Sequence, residues 1–599
     1  MFATSIGWLN AAQDVAAAAV ALGFLVLTVV AKHRVTRRSD QVREDRSLLP
    51  GGTTATPPAG TKDPRHADHH TWTLPRFLTT RVGRSATVGM VVVLAATVSL
   101  GTSFLRTAPA EGLASGLTSG GGSVSPDASS AGHVVSGDVV VGTTAGVGRV
   151  AADSIGLSFE QGALGSAAFA PSSGLATLLR RLGPGLLRFG GSSVDAGPAT
   201  RLTAVQLSDL RHLAIASGWR VLASIDLAHY SATVTRENAA ALQTALGPRL
   251  AAIACGNEPD FYSWQRYRPA TYGFHAYLAD VSHCLSAVRQ RAPGVELAGP
   301  DTAITAWLPR YIANLHSTVS TVTTHYYPMT ACPGKYASAT ALIGGNADAR
   351  TRLHLARSAA KARAAGVALR LDETNSASCR GIRGLSNSYA AALWAADDIF
   401  VVLGTGVEGL NFHNQVDAAG CLGYAATCLA ADGRNVLAQP LYDGLLLAHD
   451  MGTGPLLPVV LPSASVGLRV DAVRHADGST AVLLDNQGPT AVRVVLHAVA
   501  GAGRATSTTM TDAGGPSARS GIVLAKGTVG VRRSTGTTPA VVLVVAPDSA
   551  EVLTLPSPTE GAVTVSRRSR VPHSLVLLHR ESSPCSSLAH PGVAVRNAS

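Results

Sequence analysis

The sequence predicts a (β/α)8 barrel of the TIM type followed by a β-sandwich. Three observations carry that prediction. Between about residues 148 and 454, short apolar runs alternate with stretches of helical length in eight successive units, which is the rhythm and size of a parallel barrel. After about Gly454 the helical stretches stop, and short apolar runs follow one another between Gly, Asp, Ser and Pro turns, as in a sandwich. Finally, Glu258 and Glu373 each stand just past an apolar run. An ionised side chain is costly there, unless it belongs to the C-terminal mouth of a barrel, where such enzymes gather their chemistry.

Taken in order, residues 15–31 form an uninterrupted apolar run at the short end of membrane-spanning length. Lys32, Arg34, Arg37 and Arg38 follow at once, and a second apolar run, 86–105, follows Arg76, Arg81 and Arg84. Basic loops stay in the cytoplasm. Residues 1–110 are therefore expected to hold two transmembrane helices, 15–31 and 86–105, joined by a cytoplasmic loop. Everything after Arg106 is then expected on the extracellular side of the cell membrane. The alternative is a signal peptide cleaved near Ala110, which releases the same body. Residues 111–147 are rich in Gly and Ser and read as a flexible tether.

The expected barrel occupies residues 148–454, with strands at 155–159, 186–189, 220–226, 250–254, 295–298, 319–325, 367–371 and 407–412. Helices are expected between them, among others at 204–217, 272–291, 352–365 and 389–403. A doubly wound open sheet is the alternative, but residues 162–165 lack the glycine-rich phosphate loop that it needs after its first strand. Residues 455–555 read as the sandwich, with strands at 468–473, 481–485, 492–498, 522–524 and 541–545. Residues 556–599 are polar, basic and aperiodic, and read as a disordered tail.

Charge narrows the function classes. Of the net charge of +11, residues 32–84 carry eleven Lys/Arg against five Asp/Glu, and the tail from 556 carries five against two. The body from 111 to 555 is left near neutral, so a basic face for nucleic acid is not expected. Among the seven cysteines, Cys421 and Cys428 are close enough to close a small loop. Cys332 and Cys379 both follow expected strand ends at one barrel mouth, Cys255 and Cys284 lie on a strand and the next helix, and Cys585 is left over. An exported body would carry structural disulfides. No spacing suggests a zinc site, and neither metal nor cofactor is expected.

Glu258 follows the fourth expected strand and Glu373 the seventh. Those strands face one another across a barrel, so the two carboxyls can converge. Retaining glycosidic cleavage needs such a pair: one carboxyl protonates the leaving oxygen and the other, ionised, attacks the anomeric carbon. A single Glu at a strand end reads as a cap or an ion pair, so it is the pair that points to chemistry. Asn257 can reach a sugar 2-hydroxyl, and Arg188 or Tyr326 can keep Glu373 ionised. Tyr326 is expected to line the pocket. His325 and His413 are expected to orient hydrogen bonds at the mouth rather than hold metal. Trp264 and Tyr262 read either as a sugar-stacking platform or as helix packing.

Six stretches then occur in a telling order. They are Leu187-Arg188-Phe189-Gly190-Gly191-Ser192-Ser193-Val194-Asp195, Gly256-Asn257-Glu258-Pro259, His325-Tyr326-Tyr327-Pro328, Glu373-Thr374-Asn375-Ser376, Ala390-Ala391-Ala392-Leu393-Trp394 and Gly409-Leu410-Asn411-Phe412-His413. Together they resemble glycoside hydrolase family 79, the β-glucuronidases and heparanases, and especially its bacterial members, from about Ser154 to Leu555. The resemblance implies a retaining clan A hydrolase of β-linked glucuronic acid, with Glu258 as acid/base and Glu373 as nucleophile. It also implies that Asp195 binds sugar hydroxyls, that Asn257 binds the 2-hydroxyl, and that a glycine-rich loop after the nucleophile holds the uronate carboxylate.

Here that loop reads Ser378-Cys379-Arg380-Gly381-Ile382-Arg383-Gly384. Two readings stay open. Either Arg380 or Arg383 pairs with the carboxylate, or both face solvent and backbone amides near Gly381 bind it. Phe412 is a further departure, since heparanases carry a tyrosine there and one phenolic donor is missing. The near-neutral body favours exo action on short substrates. The expected partners are a glycan or glycoside bearing a uronic acid and, through the N-terminal helices, the membrane. The other readings are a retaining β-xylosidase or β-glucosidase on the same barrel, and a catalytically inactive carbohydrate-binding surface protein.

Overall fold

The computed structural model describes residues 135–557 apart from 333–336, 418, 462–466, 499–502 and 534–538. The expected membrane spans at 15–31 and 86–105, and the tail beyond 557, lie outside the described residues. Among the described residues, no helix is long and apolar enough to cross a membrane.

Eight parallel strands form the barrel: β1 Ile155–Glu160, β2 Leu186–Gly190, β3 Arg220–Ile225, β4 Leu250–Cys255, β5 Ala298–Thr302, β6 Thr321–His325, β7 Ala368–Thr374 and β8 Gly409–His413. Neighbours in sequence are neighbours in space, and β8 returns to β1 with Leu410 opposite Ile155. Between β4 and β5 the ladder thins to a single bridge, Ile253 to Leu297, with the Ile253 N–H on Glu296 O at 2.9 Å. The strands are buried on both faces, which is why they read as continuous apolar runs rather than alternating ones. Two strands outrun their expected ends by three residues or more. The expected fifth strand stops at 298 because Gly299-Pro300-Asp301 reads as a turn, yet β5 carries those residues through a register shift before Thr302. β7 likewise continues through Glu373, again past a shift after Leu371.

A helix follows each strand: α1 Leu175–Arg181, α2 Ala204–Ser217, α3 Ala232–Leu246, α4 Phe274–Arg291, α5 Leu308–Leu315, α6 Asn346–Ala364, α7 Tyr389–Gly404 and α8 Pro440–His449. Thr203 and Gln206 close a capping box at the start of α2. Every residue of α7 from Tyr389 to Leu403 is buried. The barrel covers one side of this helix and the antiparallel sheet the other, so it is apolar on every face except where Asp397 and Asp398 interrupt it. Its first amides are satisfied from the sheet side, Tyr389 N–H by Ala518 O at 2.7 Å and Ala390 N–H by Pro516 O at 2.8 Å.

The second sheet begins before the barrel. Val135–Val141 lies between Val459–Val460 and Val492–His497, within the stretch expected to be tether. Val139 and Val141 are buried while Val140 is 45% exposed. This period of two is too short to show through the surrounding glycines and serines. From there the sheet runs through Pro539–Val545, Val523–Arg533, Gly503–Thr511, Ser549–Leu555, Thr480–Asn486 and Leu468–Arg474. It folds over, so that Val139, Val494 and Val541 share one core with Val482, Leu484 and Leu553. Disulfides join Cys255 to Cys284, Cys332 to Cys379 and Cys421 to Cys428.

Candidate active site

Arg188, inside β2, is fully buried at the centre of the barrel mouth. Its Nη1 donates to Glu373 Oε2 at 2.6 Å and to Ser158 Oγ at 3.1 Å; its Nη2 donates to Asn257 Oδ1 at 2.8 Å and Asp301 Oδ2 at 2.9 Å. Asp372 Oδ2 lies 3.3 Å from Nε without alignment for a hydrogen bond. Burial works against the guanidinium charge, but Asp301, Asp372 and Glu373 outweigh it and raise its pKa. The glycines after Arg188 have a steric reason. A Cβ on Gly190 would stand 2.5 Å from the guanidinium carbon, and one on Gly191, at φ 74°, would stand 2.4 Å from the Glu160 carboxyl.

Glu373 is held as an anion. Besides Arg188, its Oε1 accepts from Tyr327 Oη at 2.8 Å, and His413 Nδ1 lies 3.1 Å from Oε2, close but poorly aligned. Burial pushes this carboxyl up; His413, His325 and Arg188 overcome that and hold it well below the usual range. The same charges act in reverse on the imidazoles. Burial would discharge His325 and His413, but Glu373 and, at His325, Asp372 raise both.

Glu258 occupies a different setting. It sits at φ 46°, ψ 55° immediately after β4, a left-handed conformation that costs a non-glycine residue about 1–2 kcal/mol. Two hydrogen bonds hold it there: its own N–H on Asp301 O at 2.8 Å, and Phe261 N–H on Glu258 O at 2.9 Å. Such strain gathers at functional sites. Its Oε1 takes a bond from His325 Nδ1 at 3.1 Å, and the side chain stays 19% exposed to the cavity. Oxygens of Glu258 and Glu373 lie within 4.8 Å of each other.

The cavity over this pair has a volume of about 850 Å³. Glu258, Glu373, Tyr326 and Arg380 all line it, as do His325 and His413. Asn257 stands just behind, with its amide oxygen on Arg188. The remaining expected site residues fall elsewhere. Asp195 is buried, and its two oxygens accept from the N–H groups of Leu227, Ala228 and Asn257 and from Tyr262 Oη. It positions Asn257 and has no free face for a sugar hydroxyl. Burial and the neighbouring Asp226 push it up to about 7. Gly381, at φ 76°, packs against Ser386 and the Tyr424 backbone, and exposed Arg383 does not line the cavity.

Three further details differ from expectation, the first two through the alternation of side chains along a strand. Tyr327, two residues after His325, turns its phenol to Glu373, whereas Tyr326 stacks on His354 with ring centres 4.0 Å apart. Phe412 points away from the site onto Trp394 of α7, ring centres 5.8 Å apart, so the missing phenol belongs to the outer face of β8. Tyr262 is buried and only Trp264 is open to solvent.

Sequence reasoning missed Asp301, Tyr424 and Glu160. Glu160 lines the cavity from the end of β1, accepting from Ser193 N–H at 2.8 Å. A carboxylate at the end of a buried strand marks both Glu160 and Asp301, which is the same signal that found Glu258 and Glu373. Among the described residues, two clusters have metal-like donor sets, Glu258/His325/Glu373 and Asp301/His325/Asp372. Arg188 already places a cation between them, and a divalent ion would meet its guanidinium.

No protein-family model matches the chain, and no curated protein matches it. Its fold is similar to that of solved glycoside hydrolases. One is a 4-O-α-L-rhamnosyl-β-D-glucuronidase from Fusarium oxysporum 12S, with TM-score 0.57, 19% identity, and 70% of this chain and 100% of that one covered. A GH51 arabinofuranosidase from Xanthomonas axonopodis pv. citri gives TM-score 0.53 at 16% identity, covering 70% and 99%. A Paenibacillus polymyxa xyloglucanase from glycoside hydrolase family 44 gives 0.53 at 12%, covering 71% and 100%. At these identities the likeness is one of fold.

Proposed function

We propose that this chain is a retaining glycoside hydrolase of the family 79 type, acting on β-linked glucuronic acid from the non-reducing end. The observation that carries the reading is the carboxylate pair, with oxygens within 4.8 Å across the barrel mouth. Retaining enzymes keep their carboxyls about 5–5.5 Å apart, whereas inverting ones need about 6.5–9.5 Å to admit a water. The surroundings divide the roles. Glu373, ringed by Arg188, His413 and Tyr327, is the nucleophile and attacks the anomeric carbon. Glu258, reached by one imidazole and open to the cavity, gives its proton to the leaving oxygen. It then takes one from the water that releases the sugar from Glu373. The fold shared with a rhamnosyl-glucuronidase is consistent with this chemistry.

Arg380 is the cation placed to meet a uronate. It is exposed into the cavity on a left-handed turn, φ 68°, beside the Cys332–Cys379 disulfide. Glu160 favours a second reading, a neutral glycone such as xylose or glucose, because a carboxylate in the same cavity suits hydroxyls better than another carboxylate. The test is hydrolysis of aryl β-glucuronide, β-glucoside and β-xyloside by the full-length chain in detergent, beside Glu373→Gln. Glucuronide turnover with retained anomeric configuration, lost in the variant, supports the proposal. Turnover of neutral glycosides alone keeps the mechanism and removes the uronate. Turnover of none by folded protein favours a glycan-binding surface protein.

The same proposal places the body outside the cell, held by the two N-terminal apolar runs. Protease added to intact cells is expected to remove the body; full protection would overturn that placement.

A further inference from the structure

The catalytic cavity has two unlike ends. Around Glu373 lie polar groups: His413 at 3.1 Å, Glu160 3.8 Å beyond His413, and Tyr424 stacked on Tyr327 with ring centres 5.9 Å apart. Phe261, Trp264 and Gln265 line the cavity from the loop that leaves β4 directly after Glu258, and the Phe261 N–H bonds Glu258 O at 2.9 Å. A general acid stands on the leaving-group side of the scissile bond, so the aromatic end is the one that a departing group would occupy.

Trp264 is 81% exposed, whereas Trp219 and Trp394 are fully buried. Indole left in water forgoes a large burial gain, and this one is presented by a loop that is itself well anchored. Pro259–Phe261 forms a 3-10 turn, Tyr262 beneath it reaches Asp195 at 2.8 Å, and Gln265 N–H returns to Phe261 O at 2.8 Å. Tyr267 N–H closes the loop on Tyr262 O at 2.9 Å. Phe261 meets the indole edge-on, ring centres 6.4 Å apart at 65°. The backbone is fixed, and the open ring borders the cavity that holds Glu258.

We infer that Trp264, backed by Phe261, is a platform for the leaving group and selects substrates whose aglycone is itself a ring with an apolar face, a second pyranose or an aryl group. This rests on the hydrolase reading above and adds the class of aglycone. It also accounts for the difference in lining, since hydroxyls and charge need the polar end and a stacked ring needs the aromatic one.

The test uses the full-length chain in detergent with two substrates that share a glycone: the p-nitrophenyl glycoside, with a ring to stack, and the glycosyl fluoride, with none. Trp264→Ala is expected to lower kcat/KM about tenfold more on the nitrophenyl substrate than on the fluoride, a stacking contribution of ordinary size. Trp264→Phe is expected to restore most of the difference. Equal losses on both substrates, or none on either, overturn the inference while leaving the hydrolase reading intact. If the wild type hydrolyses neither, the hydrolase reading falls and calorimetric binding of the nitrophenyl glycoside decides. Weaker binding by Trp264→Ala then supports the platform; unchanged or absent binding overturns it.

Discussion

At the scale of the residue, the site is an exercise in keeping buried charge balanced. Arg188 compensates Asp301, Asp372 and Glu373 at once, so removing it strands several carboxylates rather than one. Arg188→Met is expected to cost at least the 3–5 kcal/mol typical of breaking a buried pair, read as a lower urea midpoint. Tyr327→Phe removes a hydrogen bond to an ionised group, about 1.5–3 kcal/mol, and is expected to lower kcat about tenfold or more. Tyr326→Phe, whose hydroxyl does not reach Glu373, is expected to change kcat far less. The imidazoles report the same balance. His413 is pushed down by burial and raised above that by Glu373. In Glu373→Gln that support is gone, and His413 is expected to titrate below its wild-type value in an NMR pH series. Glu373 gives stability that is present above about pH 4.5 and lost as pH falls through its lowered folded value. The His413 contribution is full below about pH 6.5 and lost as pH rises through its raised folded value.

At the scale of the element, α7 is where barrel and sheet meet. The helix carries Asp397 and Asp398 into that contact, and both are fully buried. Neither oxygen of Asp398 finds an aligned donor. Burial, reinforced by Asp348, pushes Asp398 up to about 8. Its folded pKa therefore exceeds its unfolded one of 3.8, so the folded state binds the extra proton between those values. Stability from this group is present at acid pH and declines as pH rises from about 4 to about 8. Thermal melting across that range is expected to show a falling Tm, and Asp398→Asn is expected to flatten the fall. A wild-type Tm that rises steadily to pH 8 would contradict this account.

At the scale of the whole molecule, chain order and packing disagree. The strand Val135–Val141 precedes the barrel, yet it pairs with Val492–His497 from the far end of the chain. A truncation beginning at residue 148, the start that composition suggests, removes this strand from inside the sheet. It also withdraws Val139 and Val141 from the core. At about 1.5–3 kcal/mol for each buried side chain, the loss is about 3–6 kcal/mol. A fragment from Pro126 is expected to be soluble with a clear unfolding transition, and one from 148 to aggregate or unfold at markedly lower urea. Equal midpoints for the two would show that the strand is dispensable.

By itself, the sequence determined the barrel and singled out Glu258 and Glu373, the two carboxylates that the fold brings together. Strands buried on both faces must be apolar runs, and a Glu left at the end of such a run stands out against them. The same rule applies to Glu160, directly after Phe159, and less plainly to Asp301, which Gly299-Pro300 separates from its apolar run. Only tertiary structure decided the rest, because its causes lie between segments distant in the chain. Whether Tyr326 or Tyr327 faces Glu373 depends on the phase of β6 as it leaves the barrel. Whether Asp195 meets a sugar or three backbone amides depends on the loops that fold over it. Whether seven residues of a glycine-rich stretch become a strand depends on a partner more than 350 residues away. Local pattern reports what a residue needs, and packing decides which distant group supplies it.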